Sequence, residues 1–232
     1  MTTAILFNRP ARLIFSTNTE AAADAVNAAL PVIRAKIAAA AYQKQYGLGP
    51  LTIATGIIVL NANALNKRVQ VCHAFNTVET SIIVMVDDTA ICYSNFLDAA
   101  LPAFSSEKIG FVGCRKWVKR LRAPRDPSLN PCAGLWNQYV RGLWNCMGGL
   151  YLVPRNFEIR ATNAADGGVF CVSGRPSLIR TSIVKNASFT DAFCNEYFLR
   201  VDIHFQGWGP VKADDDNFLT RLVTNHGHDV KI

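Results

Sequence analysis

Short, continuously apolar runs and longer helix-periodic stretches alternate along the chain. The run ARLIFST (11–17) predicts a strand. Thr17 with Glu20 three places on forms a capping box, opening an Ala-rich helix that reaches toward Tyr46 with Pro31 inside it. LTIATGIIVL (51–60) predicts the next strand and NKRVQVCHAFNTV (66–78) the next helix. TSIIVMV (80–86) is a further apolar run that stops abruptly at Asp87-Asp88. Such a run flanked by helices belongs to a strand buried on both faces, hence to a largely parallel sheet. A helix near 94–101, a strand at 108–114, a long helix over 133–161 and a strand at 167–174 follow. Two short helices near 176–185 and 190–199, an acidic helix from Asp215 and a last strand at 228–232 complete the chain. This alternation is that of an α/β fold, and without repeats or low-complexity linkers it reads as one domain over 1–232.

Composition narrows the class. At 232 residues and 50 % hydrophobic, the chain can bury one substantial core. Its apolar runs are too short to cross a bilayer, and MTTAILFNRPARLIF lacks the early basic cluster of a secretion signal. Seven cysteines without a CxxC pair argue for free thiols in a reducing compartment. The net charge of +7 points to an anionic partner. Much of it lies in CRKWVKRLRAPRD (114–126), which suits nucleic acid, anionic lipid headgroups, an acidic polymer, or only solvent around a connecting segment.

Two acidic clusters carry the candidate chemistry. In KADDDNFLTRLV, Asp214, Asp215 and Asp216 open a helix, where the macrodipole favours negative charge although adjacent carboxylates repel. Asp87 and Asp88 stand at the carboxyl end of a strand, where α/β sheets bind ligands. Carboxylates so placed hold a divalent cation that also grips substrate phosphate, or cap the following turn. Asp166, before Gly167-Gly168, suits a donor-sugar contact or a turn equally. Trp136 and Trp144 share a face of the long helix and are expected to pack in the core, with stacking on a sugar as the alternative.

Three stretches occur in order: ALNKRVQVCHAFNTVETSIIVMVDD, RNFEIRATNAADGGVFCVSGRPSLIRTSIV and KADDDNFLTRLVTNHG. Together they resemble the catalytic domain of family 2 glycosyltransferases, closest to fungal polysaccharide synthases of the hyaluronan-synthase and cellulose-synthase type. The resemblance implies a GT-A fold, with a single Rossmann-like, mainly parallel sheet flanked by helices. It implies inverting, metal-assisted transfer of a sugar from a UDP-sugar to a growing polysaccharide. Lys67 and Arg68 would contact the nucleotide, Asp87 the ribose and, with Asp88, an Mg²⁺ or Mn²⁺ ion. Ser173, Gly174 and Arg175 would face the glycan acceptor, Asp216 would be the base that deprotonates its hydroxyl, and Asp215 is its acidic neighbour. No nucleic-acid partner is implied.

The chemistry asks for the same groups. An attacking hydroxyl needs a carboxylate within hydrogen-bond reach, and a departing diphosphate needs positive charge. Against the family pattern, Thr89 stands where a second metal-binding aspartate is expected. The family's first strand, which lies between the strands starting here at Ala11 and Thr80, its Gln-x-x-Arg-Trp motif and its membrane helices are also not found. The expectation is therefore a domain cut at both ends. In the full-length protein it would sit on the cytoplasmic face of a membrane, held there by segments outside this chain. The alternative is a GT-A-like fragment that binds a nucleotide or anionic partner without turnover.

Overall fold

The computed structural model describes residues 8, 10–38, 56–93, 95–119, 130–172, 176–198, 208–212 and 214–232. The chain builds β1 (Arg12–Thr17), α1 (Glu20–Ala38), β2 (Gly56–Asn61), α2 (Lys67–Thr77) and β3 (Ile82–Met85). There follow α3 (Phe96–Ala100), a 3₁₀ turn (Leu101–Ser105), β4 (Ile109–Gly113) and α4 (Pro131–Asp166). The last elements are β5 (Ser177–Arg180), α5 (Thr181–Val184), α6 (Ala187–Cys194), α7 (Asp215–Asn225) and β6 (Asp229–Lys231).

The α/β alternation expected from the sequence is present, but the described strands form two sheets. β1 and β2 pair in parallel, Arg12 opposite Gly56 through Thr17 opposite Asn61. The other sheet has the order β3-β5-β4-β6, with β5 antiparallel to both β3 and β4 and only β4 and β6 parallel. The reason lies in SLIR (177–180). It was expected within a helix, yet it is a strand running against both neighbours, while 167–172 form no strand.

Burial on both faces explains the apolar runs. Ile83 and Phe111 flank Ile179 in register, and all three belong to the main core with Cys72, Phe189, Phe193, Leu219 and Val223. One residue along, Val84 and Val112 flank Leu178 and turn to a second cluster with Phe104 and Leu97. Side chains alternate across a strand, so two covered faces require apolar residues at every position.

The start of α1 differs by two residues from the expected cap. Thr19 Oγ1 accepts from the Ala22 amide at 3.2 Å, while the Thr17 hydroxyl donates to the Leu60 carbonyl at 3.0 Å and ties β1 to β2. At the far end of α4, Gly167 takes a left-handed conformation (φ 76°) that suits glycine at a helix C-cap. The Asp166 carboxylate accepts from the Gly168 amide at 2.7 Å and closes that turn.

Candidate active site

Three element ends converge. Asp87 follows β3, Lys67 is the first residue of α2, and Asp215 is the first residue of α7. The Asn66 side chain caps α2 by accepting from the Arg68 amide at 3.0 Å, which fixes the turn presenting Lys67. The Lys67 ammonium lies 3.0 Å from Asp215 Oδ2 and 3.5 Å from Asp87 Oδ1. The two acidic clusters are therefore joined through one cation.

Electrostatics favours this junction. Burial alone would pull the Lys67 pKa down, but Asp215, then Asp87 and Asp216, outweigh it and hold the ammonium above its ordinary value. The α2 N-terminus has no acid in its first turn, so its dipole opposes Lys67 and Arg68 locally. The carboxylates across the gap supply what the helix lacks. On α7 the arrangement is locally favourable, with Asp215 and Asp216 in the first turn.

Arg68 points elsewhere. It is only 1 % exposed, and one terminal nitrogen donates to the Phe193 carbonyl at 2.8 Å and pairs with Glu196 Oε2 at 2.7 Å. The other donates to the Asp214 carbonyl at 3.3 Å, and the guanidinium lies over the Phe193 and Phe218 rings. In this arrangement Arg68 ties the entry to α7 to the core.

Asp214 adopts the left-handed region (φ 64°), which aspartate tolerates better than most residues, and its carboxylate accepts from Asn217 Nδ2 at 2.6 Å. Asp216 is half-buried one residue beyond Asp215. Its carbonyl accepts from the Thr220 hydroxyl at 2.8 Å, and Thr220 Oγ1 in turn accepts from the Val172 amide at 2.9 Å. That hydrogen bond docks the 169–172 segment on α7. Ser173, Gly174 and Arg175 lie outside the described residues.

Asp88 and Thr89 are exposed in the turn after β3, which is closed by the Ala90 amide donating to the Asp87 carbonyl at 3.1 Å. Among the described residues no three metal-ligating side chains gather. Asp87 and Asp88 are adjacent carboxylates, and one or two carboxylates are what Mg²⁺ takes when substrate phosphates complete its shell.

Two supporting residues escaped the sequence reading. Glu196 pairs with both Arg68 and Arg221, and Thr220 links α7 to Val172. Neither lies in a spacing that marks it, because their partners come from distant parts of the chain.

The family model described as "Glycosyltransferase like family 2" matches residues 53–232. The chain belongs to this family. It is 37 % identical over 162 residues to a "Type 2 glycosyltransferase" of Pyricularia oryzae, covering 69 % of this chain and 29 % of that protein. Against a "Type 2 glycosyltransferase" of Gibberella zeae the identity is 37 % over 168 residues, covering 72 % and 28 %. An "NDP-glycosyltransferase ltbB" of Aspergillus luteorubrus is 27 % identical over 179 residues, covering 76 % and 39 %. The chain thus spans less than a third of the length of the first two relatives.

Proposed function

We propose that this chain carries the donor-binding and base-bearing site of an inverting glycosyltransferase. It would pass a sugar from a UDP-sugar to a hydroxyl of a growing polysaccharide, at the cytoplasmic face of a membrane. The observation that carries the reading is Lys67, held between Asp87 and Asp215. A cation so placed can neutralise a diphosphate on one side and orient the acidic segment on the other.

In this reading Asp216 takes the proton of the acceptor hydroxyl as its oxygen attacks the anomeric carbon from the face opposite the diphosphate. The C–O bond to the diphosphate breaks as the new glycosidic bond forms, and the configuration inverts. Asp87 and Asp88 would hold Mg²⁺ or Mn²⁺, which supplies Lewis-acid charge to the leaving group when bound. Lys67 adds the protein's own positive charge there. Asp215 keeps Lys67 in place, and Ser173, Gly174 and Arg175 are assigned to the acceptor side.

Calorimetric titration with UDP, with and without Mn²⁺, tests the reading. Metal-enhanced UDP binding that Asp87→Asn weakens supports it. Weak binding indifferent to metal favours a non-catalytic nucleotide-binding fragment instead.

A further inference from the structure

Two thiols that the transferase reading leaves unused meet behind the site. Cys72 lies one helical turn beyond Arg68 on α2, and Cys194 is the last residue of α6. Although 122 positions separate them in the chain, the Cys194 thiol donates to Cys72 Sγ at 3.6 Å. Sulfurs at that distance are in contact and need to approach by only about 1.5 Å to reach bonding length. Cys194 stands in the last turn of α6, before the Asn195 cap, and helix ends yield more readily than helix interiors.

The two thiols differ in access. Cys72 is 4 % exposed and belongs to the main core with Phe75, Phe189 and Phe193, while Cys194 is half-buried at the edge of that core. Burial, then the hydrogen bond with Cys194, pushes Cys72 up to about 12, against a hydrogen bond with Thr190 and the charge of Arg68. Cys72 therefore keeps its proton at neutral pH, and chemistry at the pair opens at the more accessible Cys194.

The surroundings give such chemistry a consequence. The Phe193 carbonyl, next to Cys194, accepts from Arg68, and Glu196, two residues further on, pairs with the same guanidinium. Arg68 also donates to the Asp214 carbonyl at the entry to α7. A bond from Cys72 to Cys194 would staple α2 to α6 within the contact that seats Arg68 and, through it, α7.

We infer that Cys72 and Cys194 are a reversible redox latch, in which a hydroperoxide converts the two thiols into a disulfide that locks α2 to the end of α6. Cys194 sulfur attacks one peroxide oxygen, the O–O bond breaks, and a sulfenic acid forms as water leaves, or an alcohol where the peroxide is organic. Cys72 sulfur then attacks Cys194 sulfur, the S–O bond breaks, and the hydroxyl departs as water with the Cys72 proton. The thiols lose two electrons and the peroxide gains them. A small dithiol reverses the latch by exchange at Cys194.

The test uses the full 232-residue chain with exposed Cys132 and Cys146 changed to serine, which prevents bonds between molecules through them. After treatment with hydrogen peroxide, digestion without reductant and mass spectrometry should find the Cys72 and Cys194 peptides joined, lighter by two hydrogens than their sum. Tm should rise by roughly 4–16 °C, because closing so long a loop restricts the unfolded chain. Dithiothreitol should return it to its starting value. Cys194→Ala should abolish both the linkage and the shift, and Cys72→Ala should do the same. Cys72 and Cys194 peptides that stay unlinked or are oxidised singly to sulfinic acid would overturn the inference. So would a linked protein whose Tm is unchanged or lower, or an equal rise in Cys194→Ala.

Discussion

The Lys67 ammonium lies 3.0 Å from Asp215 Oδ2, and through it the first turn of α2 is tied to the first turn of α7. Asp87, 3.5 Å away on the other side, makes the same lysine the link to the end of β3. Removing that charge should have two separable effects. Lys67→Met leaves the buried Asp215 carboxylate without its cation, lowering Tm by roughly 2–8 °C. It should also weaken UDP binding about tenfold or more, since one charge on the diphosphate is lost. Lys67→Arg should restore much of the stability and part of the affinity, measured by thermal unfolding and calorimetry.

Its neighbour should behave differently. Arg68 is enclosed by Glu196, the Phe193 and Asp214 carbonyls and two aromatic rings. Arg68→Ala leaves the Phe193 and Asp214 carbonyls without their donor and a cavity beside the two rings, while Glu196 keeps Arg221, and should cost about 2–5 kcal/mol of stability. Under conditions where the variant remains folded, UDP affinity should stay within a few-fold of the parent. Chemical denaturation and calorimetry together check both halves of that expectation.

These adjacent residues mark where the sequence is legible and where it is not. The Asn66 cap, the helix beginning at Lys67, the strand ending before Asp87 and the helix from Asp215 are local features, written in turn chemistry and periodicity. That one side chain of a basic pair faces the gap and the other the core depends on Phe193, Glu196 and Phe218, which approach from afar. Strand direction was illegible for a related reason. SIIVMV is apolar throughout because both sheet faces are covered, but covered faces do not specify parallel partners, and SLIR supplied an antiparallel one. Trp136 and Trp144, expected in the core, are exposed on α4 and carry a further lesson. Their spacing revealed a shared face, while the direction of that face depends on what the helix rests against.

The thiols give a pH prediction. Burial, then a hydrogen bond with Cys194, pushes Cys72 up to about 12, and burial pushes Cys114 and Cys171 up to about 11, from an ordinary value of 9.0. A folded-state pKa above the unfolded one means that folding favours the proton. The contribution is complete below about pH 9 and is lost as pH rises toward 11–12. The raised pKa of Lys67 acts in the same direction above 10.5. Stability should therefore fall progressively on the alkaline side, and exposed Cys132 and Cys146 should react with a thiol reagent at pH 8 well before Cys72, Cys114 or Cys171. Tm against pH and labelling followed by mass spectrometry check the two statements.

Ser177 offers a test of packing. Its hydroxyl is buried between β3 and β4 and has no hydrogen-bond partner among the described residues. Ser177→Ala removes an unsatisfied polar atom at little cost in volume. Its effect should be neutral or stabilising by up to about 1–3 kcal/mol. A clear fall in Tm would show that the hydroxyl is bonded in solution.

In the proposed reaction Asp216 acts on the acceptor while Lys67 and Asp87 act on the donor. The most direct measurement is sugar transfer by Asp216→Asn in a form of the protein that turns over, with UDP affinity determined alongside. Transfer should drop by about two to four orders of magnitude, the range for losing a general base, with UDP affinity nearly unchanged. Near-normal transfer by Asp216→Asn, or a loss of transfer explained by lost UDP binding, would contradict the claim.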